Sequence, residues 1–131
     1  MASINLAVEF FKEDFLQAIG AGIYEIGVRK SGKSVPLYIG ESTFVLVRCA
    51  AHLYHLRKEP ALFGFEEDTI NDPSITLSFH LLKSEEDKQA RKKRETELVK
   101  ERHPISQSGR RDSQKPIEEK IEALRQFLQS C

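Results

Sequence analysis

At 131 residues the chain is long enough for one domain with its own core and too short for two comfortable ones. Its 40% hydrophobic and 31% charged residues exclude a disordered chain, and no apolar run approaches the roughly 18 residues that cross a bilayer. The formal net charge of zero excludes little, because it sums unequal blocks: residues 29–58 set six Lys and Arg against Glu41, residues 88–111 nine against three Glu, and residues 59–87 eight acids against Lys83.

In chain order, Leu6, Phe10, Phe11, Phe15 and Leu16 stand at helical spacing, which predicts an amphipathic helix over residues 4–18. The opening residues 1–11 have no basic region and are interrupted by Glu9, so they do not read as a secretory signal. Gly20 and Gly22 punctuate the helix end. Tyr24, Ile26 and Val28 alternate with Ile23, Glu25 and Gly27 in a first strand over 22–29; Val35, Leu37 and Ile39 alternate in a second, and Ser31-Gly32 between them makes a hairpin. Helical character returns from Thr43 to Arg57. Pro60 to Pro73 is acidic and turn-rich, with at most a short helix at Ala61–Phe65. Ile75, Leu77, Phe79 and Leu81 alternate in a strand over 74–82. Ser84 followed by Asp87 resembles a helix-capping signature, and a charged helix follows to His103, before Pro104. Gly109 to Ser113 is a polar break, and Pro116 opens a last helix with Ile117, Ile121, Leu124 and Leu128 on one face. The expectation is one α+β domain over 1–131, a small sheet with helices packed on it.

Several polar residues are oddly placed for a purely structural chain. Tyr24 and Tyr38 each sit inside a short strand among small or apolar neighbours. Arg48, His52 and His55 fall on one helix face at i, i+4 and i+7. Glu95 shares the apolar stripe of Leu98 and Val99, where a carboxylate wants a partner, Arg91 one turn earlier being one candidate. Taken singly, each has an ordinary structural explanation. Cys49 and Cys131 form no metal-binding pattern, so a reducing cytoplasm is expected.

Taken together, Gly22-Ile23-Tyr24 and Tyr38-Ile39-Gly40 resemble the two triplets that name the GIY-YIG nucleases. Arg48, eight residues after Gly40, falls where that family keeps an arginine, and His52 matches a histidine many members have. Glu95-Thr-Glu-Leu-Val-Lys followed by Pro104 is similar to the family's E-x-x-L-I-K and proline, in which the glutamate holds the metal. The resemblance covers residues 21–107. It departs in three places: Gln107 stands for the usual asparagine, Glu41 follows the second triplet, and the connection from Tyr24 to Tyr38 is longer than common.

The resemblance implies a central, mainly antiparallel three-stranded sheet; the helices read at 4–18 and 116–128, which members of the family need not have, are expected to cover the core or form a homodimer surface. It implies a metal-dependent endonuclease acting on DNA, with catalytic Tyr24, Tyr38, Arg48, His52 and Glu95. One Mg²⁺ or Mn²⁺ is expected on Glu95, since Mg²⁺ keeps several waters and takes only one or two protein carboxylates. Gly40, Lys33, His55, Arg91 and Gln107 are expected to contact substrate. A tyrosine with its pKa lowered by nearby cations can take the proton of the attacking water; Tyr24, Tyr38 and His52 all remain open for that role. The alternatives are a catalytically weak nucleic-acid-binding module, suggested by Glu41 and Gln107, and a protein-interaction domain. No membrane partner is expected.

Overall fold

A long hairpin is the centre of the molecule. The computed structural model describes residues 4–107 and 114–131; the polar break at Gly109–Ser113 lies outside them. Strands β2 (Gly22–Lys30) and β3 (Lys33–Ser42) are joined through Ser31 and Gly32, both with positive φ. That is the backbone a two-residue type I′ turn requires, and its twist matches the flanking strands. Counting β1 (Ala7–Phe10) and β4 (Thr76–Ser84), the sheet order is β1-β4-β2-β3. β2 is antiparallel to β3 and β4, and β1 runs parallel to β4. The protein is thus α+β with a four-stranded mixed sheet, where three strands were expected.

The fourth strand corrects the reading of the N-terminal segment. Residues 4–18 form no α-helix: Ala7–Phe10 pair with β4 from Ala7↔Thr76 to Phe10↔Phe79, and a 3-10 turn follows at Gln17–Ile19. The helical spacing of apolar residues was misleading, since Phe11 is buried while Phe15 and Leu16 are 51% and 76% exposed. The backbone decides the matter. β4 would otherwise present a row of unpaired groups at the sheet edge, and β1, extended by the Phe11 N–H donating to the Phe79 carbonyl, covers it.

Register sorts the side chains. Tyr24, Ile26 and Val28 face the same side as Leu77 and Phe79. A bulge at Leu37 shifts the pairing so that Tyr38 stands opposite Ile26 and Val35 opposite Val28, keeping both on that side despite their odd separation. This face packs on Val45, Cys49 and Leu56 of helix α1 (Val45–Lys58), on Phe63 in a 3-10 turn at Pro60–Phe63, on Phe65, on Ile70 ending α2 (Glu67–Ile70), and on Leu124 and Leu128 of α4 (Ile117–Gln129). Helix α3 (Lys88–Arg102) lies against the opposite face, where Val99 meets Ile23 and Ile39.

Asp87, not Ser84, caps α3, its carboxylate accepting from the Ala90 N–H at 2.8 Å. Among the described residues no helix is long and apolar enough to cross a membrane.

Candidate active site

Tyr24 projects from β2 toward α1, 1% exposed, with its hydroxyl 2.8 Å from His52 Nε2. The rings of Tyr24, Tyr38 and His52 form a triangle with centroids 5.5–6.3 Å apart. The hairpin register explains why both triplets end or begin in glycine. A Cβ at Gly40 would sit 2.6 Å from Tyr24 Cζ and 2.9 Å from Tyr38 Cε2, and one at Gly22 would meet the Lys83 carbonyl at 2.6 Å. Gly40 therefore acts by leaving room for the two tyrosine rings.

Helix α1 is held at its start by the Val45 N–H donating to the Gly20 carbonyl and the Phe44 N–H donating to Ser42 Oγ. Its i, i+4, i+7 face then points Arg48, His52 and His55 into one cavity of about 230 Å³. Tyr38, Leu62, Phe63 and Ser106 complete its walls, with Ala51 and Gln114. Five sequence-expected residues, Tyr24, Tyr38, Arg48, His52 and His55, are thus gathered from β2, β3 and α1.

Burial sets the chemistry of this group. The Tyr24 hydroxyl is pushed far above the ordinary phenol value, first by burial and then by Tyr38 and Cys49; Arg48 acts the other way, by hydrogen bonding and charge, and is outweighed. The expected cation-lowered tyrosine is therefore corrected: desolvation of a phenolate exceeds the attraction of one guanidinium. The same burial, with Arg48 and His55, lowers His52 to about 4, so its ring is neutral at pH 7. Cys49 is a buried thiol, pushed up by desolvation.

The other expected residues lie elsewhere. Glu95 is on α3, 1% exposed, in one stripe with Arg91 and Val99, and is not among the described residues lining the cavity. Arg91 is 3% exposed; its guanidinium donates to Glu41 at 2.6 Å and to the carbonyls of Glu85 and Glu86. Glu41 is thus the counter-ion of a buried arginine rather than a bare charge at the site. Gln107, also 3% exposed, accepts from the Ile39 N–H and donates to the Ile39 carbonyl, both at 3.0 Å, so its amide completes the outer edge of β3. Lys33 is at the hairpin turn, donating to the Ser130 carbonyl. Five residues along β3, roughly 17 Å, separate it from Tyr38. Arg91, Gln107 and Lys33 thus hold structural contacts where substrate contacts were expected.

Two features carry no signal in the sequence. Ser106 is 4% exposed beside the cavity, and only its place before Gln107 points to it. Glu25, 4% exposed on the opposite sheet face, is bound by Arg102 and lies 3.4 Å from His80.

Among the described residues no group of three or more His, Cys, Asp or Glu could hold a metal ion. The donor chemistry of Glu95 suits a hard cation that keeps its waters and takes a single protein carboxylate. This chain matches no protein-family model, no curated protein and no solved structure at the similarity sought.

Proposed function

We propose that the chain is a metal-dependent endonuclease of the GIY-YIG type, hydrolysing phosphodiester bonds of DNA. The observation that carries this reading is the convergence of Tyr38, Arg48 and His52 on one small cavity, with the Tyr24 hydroxyl hydrogen-bonded to His52 behind its wall.

Arg48 can only donate hydrogen bonds. Its guanidinium acts on the Tyr24 hydroxyl, which shares a 2.8 Å hydrogen bond with His52 Nε2. As a water attacks phosphorus, its proton passes to His52, whose ring lines the cavity and is backed by the Tyr24 hydroxyl. His52 is the final proton acceptor, and its neutral ring is ready for that role. The new P–O bond forms as the bond to the leaving 3′-oxygen breaks. Arg48, at the cavity, meets the charge that builds on the phosphoryl oxygens. A divalent cation held by Glu95, Mg²⁺ or Mn²⁺, would supply further charge neutralisation at the phosphoryl and leaving oxygens.

One observation favours a second reading, a catalytically weak nucleic-acid-binding module: at 1% exposure Glu95 offers a hydrated cation little access. The experiment that separates the two is cleavage of supercoiled plasmid, single-stranded DNA and a branched duplex with Mg²⁺ or Mn²⁺, beside Glu95→Ala. Metal-dependent cutting that disappears in the variant supports the nuclease. Binding without cutting, unchanged in the variant, supports the module.

A further inference from the structure

We infer that the cavity beside Tyr24 is a pocket for one unpaired nucleobase, the base of a nucleotide flanking the bond to be cut, with Ser106 contacting its polar edge. This rests on the nuclease reading and adds a substrate class to it: nucleic acid in which a nucleotide at the cut is single-stranded or flipped from its stack.

The walls argue for a base rather than a bare phosphate. Leu62, Phe63 and Ala51 form one side, and the rings of His52 and Tyr38 another, with Phe63 standing edge-on to His52 at 6.1 Å. An isolated phosphate gains nothing from such surfaces. A base has a flat apolar face that stacks on aromatic rings and a polar rim that needs partners. The volume agrees: about 230 Å³ is below the roughly 300 Å³ at which pockets for drug-sized ligands begin, on the scale of a base with part of its sugar. Arg48, also lining the cavity, is placed for the phosphate of the same nucleotide.

Ser106 supplies the second, independent observation. Its main chain is fixed at both ends, the N–H donating to the Leu37 carbonyl and the carbonyl accepting from the Lys115 N–H, each at 3.0 Å. Its hydroxyl is buried and has no hydrogen-bond partner among the described residues. Buried hydroxyls are nearly always paired. A hydroxyl can both donate and accept, so it suits the mixed edge of a base. Gln114 reaches the same cavity with its carbonyl oxygen accepting from Lys120, which orients its amide. A base paired within intact duplex cannot enter such a pocket without leaving the stack.

The test is binding of a single-stranded oligonucleotide carrying 2-aminopurine, against the same strand with an abasic site there, in EDTA so that binding is read apart from cutting. The wild type is expected to hold the base-bearing strand at least ~5-fold tighter, the low end of base–aromatic stacking, with a change in 2-aminopurine fluorescence. Ser106→Ala is expected to narrow that preference by about 2-fold or more, the low end of one hydrogen bond's worth, while binding the abasic strand as before. Equal affinity of the wild type for both strands overturns the proposal. So does a marked fall in the melting temperature of Ser106→Ala, because removing an unpartnered hydroxyl should leave stability unchanged or raised. Cleavage with Mg²⁺ is scored separately. Cutting without base preference overturns the pocket and leaves the nuclease standing; base preference without cutting supports the pocket and removes the nuclease.

Discussion

His52 carries two measurable consequences of its burial beside Arg48. Its pKa falls from 6.5 to about 4 in the folded protein, so between those values the unfolded chain binds a proton that the folded chain does not. Stability is therefore full above pH 6.5 and falls as the pH drops through the window, by about 3 kcal/mol in all. Urea midpoints at pH 7.5 and 4.5 should show this drop in the wild type and a smaller one in His52→Gln. The same shift leaves His52 able to accept a proton down to about pH 4, so a pH–rate profile whose acid limb lies near 6.5 would count against it as the acceptor. Gly40→Ala probes the site from the other side. Its Cβ would press on the Tyr24 and Tyr38 rings, and Tyr24 is too buried to move aside cheaply. Displacing a reacting group by about 1 Å costs on the order of 100-fold in rate, so activity should fall by about that factor in a variant that still folds by circular dichroism. That Arg48, His52 and His55 share one face of α1 was legible in the sequence, because helical spacing is local; that Ser106 and Gln114 reach the same cavity was not. The direction of the Tyr24 shift was not, since it depends on how much of the molecule closes over the ring.

At the scale of elements, the sequence showed the hairpin, α1, β4, α3 and α4 to within a few residues, and it failed at the N-terminus. Strand β1 has only four residues, and what stabilises it is the open edge of β4, which no local pattern reveals. Arg91 and Gln107 were read as substrate contacts, and Glu41 as a negative charge near the site, for a related reason: each is polar, and each is used to join α3 and the segment after it to β3. The Glu41–Arg91 pair makes this testable. The Arg91 side chain is nearly inaccessible, at 4% exposed, and that of Glu41 is partly buried, at 16%. Glu41→Lys would leave two cations buried together, and breaking a buried pair costs about 3–5 kcal/mol. A large loss of stability in chemical denaturation is expected for Glu41→Lys, with a smaller one for Glu41→Gln, which keeps an acceptor for the guanidinium. If Glu41→Lys is as stable as the wild type, the pair does not join the helix to the sheet.

At the scale of the whole molecule, the sheet divides the basic residues into two populations that the net charge of zero conceals. Helix α1 carries exposed Arg57 and Lys58 in its last turn, following His55 at the cavity; α3 carries exposed Lys93 and Lys100 on the helix that covers the opposite face. A strand whose phosphate lies at Arg48 runs along the α1 side, so only the first population can neutralise its neighbouring phosphates. Deleting one cation that neutralises a phosphate should lower the slope of log affinity against log salt by about 1. Replacing Arg57 and Lys58 together by Ala is expected to weaken DNA binding several-fold near physiological salt and to reduce that slope by about 1–2. Replacing Lys93 and Lys100 should leave both affinity and slope nearly as in the wild type. The reverse pattern in a salt titration would put the nucleic acid along α3 rather than α1, and the roles assigned to Tyr24 and His52 would fall with it.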